Sequence, residues 1–273
     1  MFVVDREKCI ACKQCIKDCP TTDIYLKEGK AHIKNENCIK CGHCLAICPT
    51  KAISTDNYDM NEVIEYNKET FTIPSENLLN FIKFRRSVRR FKEIPVEKEK
   101  LEQIIEAGRF TQTSRNIQDV SYIVVTDKLQ ELSELSYEIL KKKGEYILKN
   151  MTPEKIHLKR YAMLWTQMYS DYNGDKKKHD RLFCNAPAAI IVTATEPFNG
   201  ALASSNMGLM VDSLGLGTFF NGFFKVAAAD SQEILDFLNI KDGKEIVSCL
   251  AIGYPDVKYK RTVPRGKADV TWI

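Results

Sequence analysis

An α+β chain in two unequal parts is what the sequence predicts, on three observations. Eight of the ten cysteines fall within the first 48 residues, in two runs of equal spacing. A short hairpin pattern lies between those runs. Beyond residue 75, amphipathic helical stretches alternate with short apolar strands, the pattern of a layered helix-and-sheet domain. A chain of 273 residues, 44% of them hydrophobic, can bury a sizeable core beside a small module. We read 1–55 as a cysteine module, 56–74 as a linker without sustained periodicity and 75–273 as a second domain.

Cys9, Cys12, Cys15 and Cys19 are followed by Pro20, and Cys38, Cys41, Cys44 and Cys48 by Pro49, so C-x2-C-x2-C-x3-C-P occurs twice. Such crowding in a reducing compartment indicates a metal site rather than disulfides. Zinc sites use cysteine pairs with a variable loop between them. Three thiolates at intervals of three and a more distant fourth instead match the bacterial-type 4Fe-4S ligand run. A short turn can wrap three corners of a cubane, and the fourth cysteine of each run points to the other cluster. That predicts one cluster on Cys9, Cys12, Cys15 and Cys48 and a second on Cys38, Cys41, Cys44 and Cys19. Neither is complete without both repeats, so the module should fold as one unit. Ile24 to Ile33, with a turn at Gly29, reads as the intervening hairpin. Along about 55 residues the segment resembles the dicluster bacterial ferredoxins, a ferredoxin-like module that depends on its clusters for stability. His43, inside the second run, reads as a surface residue because all four cysteines are present.

In the second domain, Leu78, Leu79, Ile82 and Phe84 follow a helix start at Ser75, and Leu101, Ile104 and Ile105 belong to a helix beginning near Pro95. Tyr122–Val125 reads as a strand. Helices are expected over 128–142, 154–172 and 200–214, with strands at 188–193 and 247–252 and a strand or turn over 218–224. Tyr161, Leu164, Trp165, Met168, Tyr169 and Tyr172 share one helical face, read first as packing and second as a lid over a pocket. Cys184 and Cys249, beside strand-like segments, read as buried small hydrophobes. The basic runs 141–143 and 176–178 read as solvated surface. The net charge of +4 is spread along the chain and gives no nucleic-acid footprint. The longest apolar stretch, about 186–194, falls short of the roughly 20 residues of a membrane span, and no secretory leader is evident. The expectation is a soluble, cytoplasmic protein with neither nucleic acid nor membrane as a partner.

No G-x-G-x-x-G follows a strand, and no P-loop, catalytic triad or carboxylate pair is evident. The distinctive segment is Phe84-Arg85-Arg86-Ser87-Val88-Arg89-Arg90-Phe91. Four arginines and a serine within six residues suit a phosphate held by bidentate guanidinium bonds, although a solvated basic helix end would also account for the run alone. The run resembles the R-R-S-x-R signature of the FMN-dependent nitroreductase family. Three later segments follow in the family's order. Ala107–Gln118 is similar to its A-P-S-A-x-N-x-Q loop, Leu214–Phe223 to its G-L-G-T…G-G-F segment, and Ile252–Pro255 to its G-Y-P turn. Gln112 and Asp119 replace the usual prolines of the loop, and Asn221 replaces the commoner Gly or Glu.

This resemblance implies a nitroreductase-type α/β sandwich with a central, mainly antiparallel sheet, fused behind the ferredoxin-like dicluster module. It implies that Arg85, Arg86, Ser87 and Arg89 hold the FMN phosphate and ribityl chain, with Arg86 and Arg89 on the isoalloxazine side. Arg265 and Lys267 would complete the phosphate site. Thr113, Ser114 and Asn116 would reach the flavin from the neighbouring protomer of a homodimer, and the backbone at Asn221 and Gly222 would face the ring. No side chain is assigned a catalytic role, because the chemistry is flavin-centred. An external ferredoxin or NAD(P)H would feed 4Fe-4S clusters that pass electrons to FMN and on to a nitro, quinone or activated alkene substrate. A redox-sensing or electron-transfer protein without turnover is the alternative.

Overall fold

The computed structural model describes residues 1–240 and 243–273. By their contacts these residues form two compact units, Met1–Pro74 with Thr113–Ile117, and Ser75–Gln112 with Gln118–Ile273.

In the first unit, β1 (Phe2–Val4) is followed by α1 (Gln14–Asp18), β2 (Ile24–Lys27), β3 (Lys30–Ile33), α2 (His43–Ala46), β4 (Ile53–Thr55) and the short α3 (Lys68–Phe71). β2 and β3 form the expected hairpin, closed at Glu28 and Gly29, both with positive φ. β1 pairs antiparallel with β4, joining the two ends of the module. The core is small: Phe2, Ile24, Ile33 and Ile53 pack with Cys9, Cys15 and Cys44. So little apolar surface leaves stability to whatever the cysteines bind.

The second unit opens with α4 (Ser75–Phe84) and α5 (Lys98–Arg109), then β5 (Ser121–Val125), α6 (Leu129–Lys149) and α7 (Lys159–Gly174). β6 (Ala188–Ala194), α8 (Pro197–Ser213), β7 (Gly217–Phe220), α9 (Gly222–Ala228), α10 (Gln232–Phe237) and β8 (Glu245–Gly253) complete it. The sheet order is β5–β6–β8–β7, antiparallel throughout. Every residue of β6 is buried, because both faces of the sheet are covered. Ala189, Ile191, Cys249 and Ala251 pack on one side with α6, α7 and α9. Ile190, Val192, Leu250 and Ile252 pack on the other with α5 and α8. The two-residue alternation along each strand thus supplies two cores, which is the predicted sandwich.

Three expectations change in detail. Helix α6 runs on to Lys149 rather than ending at 142, since Gly144 lets it approach α7: a Cβ there would lie 2.7 Å from the Ala162 carbonyl oxygen. Lys143 is therefore mid-helix and donates from Nζ to the carbonyls of Val226 and Ala229 at the end of α9, so it is more than solvated surface. Pro153–Leu158 is a 3₁₀ segment, and the regular helix starts at Lys159.

Asp119, read only as a departure from the loop motif, holds the start of α8. Its carboxylate accepts from Thr195 Oγ1 at 2.6 Å, the Glu196 N–H at 2.8 Å and Asn199 Nδ2 at 2.8 Å. Burial raises its pKa, but those hydrogen bonds outweigh burial and hold it below the ordinary carboxylate value. Asp119→Ala is expected to cost about 1–2 kcal/mol at neutral pH. With the folded value below the unfolded one, that contribution is present above about pH 4 and disappears as pH falls through the folded value. Urea denaturation of both proteins at pH 7 and pH 3 checks this, the gap narrowing at the lower pH.

Candidate functional site

The two cysteine runs repeat in conformation as well as in sequence. Ala11 and Lys13 in the first, and Lys40 and Gly42 in the second, have positive φ at matching positions, which curls each C-x2-C-x2-C turn around a centre. Thr22 and Lys51, three residues past the last cysteine of each run, match in the same way. The Asp23 N–H donates to Cys19 Sγ at 3.4 Å and the Ala52 N–H to Cys48 Sγ at 3.2 Å. The Ala31 N–H points at Cys9 Sγ, 3.5 Å away.

One small cavity is lined by Cys9, Cys12, Cys15 and Cys48. A second is lined by Cys19, Cys38, Cys41 and Cys44. Each tetrad therefore draws its fourth member from the other run. Among the described residues no group of three His, Cys, Asp or Glu closes in as the ligands of a single ion; four thiols around each cavity are the donor set of a 4Fe-4S group. Burial, reinforced by Cys12, Cys48 and Cys9, raises the Cys15 pKa, and burial pushes Cys44 up to about 12. For Cys48 burial also works upward, but hydrogen bonds from Ala52 and Thr50 prevail and lower it. Buried thiols facing one another repel as thiolates, and cationic iron is the group that would reverse that cost.

Thr113–Ile117 belongs by contact to this unit. Asn116 Nδ2 donates to the Ile39 carbonyl at 3.1 Å and the Lys40 carbonyl at 3.0 Å. It thereby holds the turn between Cys38 and Cys41, which its place in the sequence did not suggest. Thr113 and Ser114 lead into the short 3₁₀ turn that carries Asn116, in which Arg115 and Asn116 have positive φ.

In the second unit, the arginine segment lies along the sheet edge. Ser87 bridges Thr218 of β7, and the Val88 N–H donates to the Thr218 carbonyl at 3.0 Å. Beyond it, Phe91 bridges Pro255 and the Asp256 N–H donates to the Arg90 carbonyl at 2.8 Å. Val88 is buried against Gly217, where a Cβ would come within 2.7 Å of Val88 Cγ2. With Val88 turned inward, its neighbours Ser87, Arg89 and Arg90 are exposed.

Arg85 Nε donates to Asp212 Oδ2 of α8 at 2.7 Å, and both side chains are about one-fifth exposed. Burial raises the Asp212 pKa, and Arg85 only partly offsets it. Arg85 reaches α8 over Gly208, where any Cβ would lie 2.7 Å from its Nη2. Arg86 Nη1 donates to the Arg85 carbonyl at 2.5 Å, while its Nη2 is buried with no hydrogen-bond partner. An orphaned guanidinium nitrogen is costly to bury and is the fit expected of an arginine built for a missing acceptor such as the phosphate of FMN.

Arg89 sits over the Phe219 ring at 5.4 Å and lines a cavity of about 530 Å³ with Tyr161, Trp165, Asn221 and Gly222. The Asn221 side chain accepts from the Phe224 N–H and donates to the Leu182 carbonyl, and its own N–H goes to the Cys249 carbonyl. It is thus a structural pivot at the end of β7. Of the aromatic face on α7, Trp165, Met168 and Tyr172 are buried, as packing predicts, while Tyr161 is half exposed at the cavity. Cys249 is buried, and Cys184 is half-buried, its pKa pushed up to about 11 by burial. Arg265 and Lys267 are exposed in a stretch after β8 without helix or strand, and among the described residues no hydrogen bond or ion pair joins them to Arg85–Arg89.

The nitroreductase family model matches residues 82–254, well over half of the chain, and a 4Fe-4S dicluster domain matches residues 1–49. A curated "NADPH-dependent oxidoreductase" of Staphylococcus saprophyticus is 24% identical over 165 residues, 59% of each chain. An "NADPH-flavin oxidoreductase" of Vibrio harveyi is 23% identical over 184 residues, 66% of each chain. The chain thus spans less than two thirds of the length of these relatives. Among solved structures, a nitroreductase with bound FMN from Bacteroides fragilis superposes with a TM-score of 0.52 at 22% identity, covering 71% of this chain and 98% of that one. One from Desulfitobacterium hafniense, also with FMN, gives 0.52 at 23%, covering 74% and 100%. Sandwich and cysteine tetrads agree with what the family models match: the chain belongs to the nitroreductase family and carries a 4Fe-4S dicluster domain at its N-terminal end.

Proposed function

We propose that this protein takes single electrons into two 4Fe-4S clusters, passes them to FMN and reduces a small organic acceptor, a nitroaromatic, quinone or activated alkene. The observation that carries this reading is the sorting of eight cysteines into two four-sulfur cavities in the chain that also holds an arginine segment with an unsatisfied buried donor. Cys9, Cys12, Cys15 and Cys48 would hold one cluster and Cys19, Cys38, Cys41 and Cys44 the other. Arg85, Arg86, Ser87 and Arg89 would bind FMN, with Arg265 and Lys267 adding charge at the phosphate. When bound, FMN would supply the exchange between single electrons and electron pairs. The chain's own part is to hold charge: Asp212 fixes Arg85, and the Phe219 ring supports Arg89.

The cavity of about 530 Å³ lined by Arg89, Asn221 and Gly222 is where the flavin ring and a small acceptor beside it would meet. The cluster domain suggests a one-electron donor such as a ferredoxin, while the names of the curated relatives suggest NADPH. A homodimer is supported by α4, which buries none of its residues and exposes Leu78, Leu79, Ile82 and Phe84. Thr113, Ser114 and Asn116 would then approach the flavin of the partner copy. Among the described residues no helix is long and apolar enough to cross a membrane.

The test is anoxic purification with iron, sulfide and flavin measured per chain, then turnover of a nitroaromatic, quinone and enone panel with reduced ferredoxin or NADPH. About eight irons and one FMN are expected. Zinc in place of iron, or no bound flavin, refutes the proposal.

A further inference from the structure

The cavity beside Arg89 has a second cation that the flavin reading does not use. Arg181 lines it, together with Trp165, Tyr161 and Phe220, and none of the lining residues is a carboxylate. Arg181 makes no ion pair among the described residues. Its backbone is nevertheless held firmly. The hydroxyl of the fully buried Tyr137 accepts from the Arg181 N–H at 2.8 Å and the Leu182 N–H at 3.0 Å. Asp180 accepts from the Leu182, Phe183 and Asn185 N–H groups at 3.1, 3.0 and 2.8 Å. Asn221 Nδ2 donates to the Leu182 carbonyl at 2.8 Å. The turn carrying Arg181 is therefore fixed to α6 and to the end of β7, so its guanidinium starts from a set position rather than from a loose loop.

Arg89 and Arg181 line this cavity with no acid to answer them, among the rings of Tyr161, Trp165 and Phe220. A ligand that suits such a lining is flat and carries an anionic acceptor group.

Resting on the reading of this cavity as the substrate pocket, we propose that Arg181 is a specificity residue that pairs with a carboxylate on an aromatic acceptor, while Arg89 serves the flavin. The enzyme should thus prefer acidic nitroarenes and quinones to neutral ones of the same shape.

The experiment compares 4-nitrobenzoate with 4-nitrobenzamide, both as substrates and by calorimetric Kd, in wild type, Arg181→Gln and Arg181→Lys. A charge-assisted pair predicts a wild-type preference for the carboxylate of roughly 10- to 100-fold. The preference should collapse in R181Q and be largely restored in R181K, with FMN content as in wild type. Absence of a wild-type preference, or its persistence in R181Q, overturns the proposal. So does a KM for NADPH that rises in R181Q with the carboxylate preference intact, since Arg181 would then serve the donor. Loss of flavin from wild type would instead sink the cofactor reading, whereas the calorimetric comparison reports on Arg181 by itself.

Discussion

Cys48→Ala is expected to remove about half of the iron, leaving about four of about eight atoms per chain. Cys48 belongs to the second run in sequence, yet it lines the cavity of Cys9, Cys12 and Cys15. The two ways of assigning ligands therefore predict different double mutants. If the tetrads cross, Cys12→Ala with Cys48→Ala empties one site and still leaves about four irons, while Cys41→Ala with Cys48→Ala empties both. If each run served its own cluster, those outcomes would exchange. Iron analysis and the anoxic visible spectrum distinguish them. The single variant should also weaken the first unit by several kcal/mol, since its small core depends on the bound group. Protease sensitivity of residues 1–74 follows that loss.

The second large effect is at Arg85. Arg85→Ala should lower FMN affinity by roughly 100-fold, through loss of a charge-assisted phosphate contact. It should also destabilise the protein by about 2 kcal/mol, less than a fully buried pair would lose because both partners keep some solvent. The two losses are separable. Without Arg85, Asp212 is a mostly covered carboxylate with no counter-charge, already raised in pKa by burial. Its penalty applies while it is ionised and shrinks as pH falls and it takes up a proton. Arg85→Ala with Asp212→Asn should therefore recover most of the stability at pH 7 and none of the flavin. Thermal denaturation and flavin titration read the two effects independently, and recovery of FMN in the double variant would show that Arg85 acts only through Asp212.

What could be read from the sequence was local. Cysteines three apart on one turn, a hairpin around Gly29 and mostly apolar strands at 188–193 and 247–252 each carry their signal within a few residues. Both strands are buried on two faces over most of their length, so apolar residues at successive positions, without polar alternation, were the right cue. The arginine segment was legible as a cluster of charge, but the counter-charge was not: Asp212 lies 127 residues away and meets Arg85 only because β7 and α8 bring them together. Arg181 carried no signal at all. Its place depends on Tyr137 and Asp180, whose side chains fold the turn from positions no spacing rule relates. Gly144, by its composition a helix breaker, instead marks where α6 needs to approach α7 closely. Asp119 looked like a lost proline, yet it gained a role at the start of α8.

Helix α4 carries its last apolar residue, Phe84, directly into Arg85. If a second copy covers that helix, separating the copies also unseats the residues that grip the cofactor. Flavin content and concentration would then be linked by mass action: the protein would shed FMN on dilution, keep its iron, and regain the flavin on reconcentration with free FMN, with no denaturant involved.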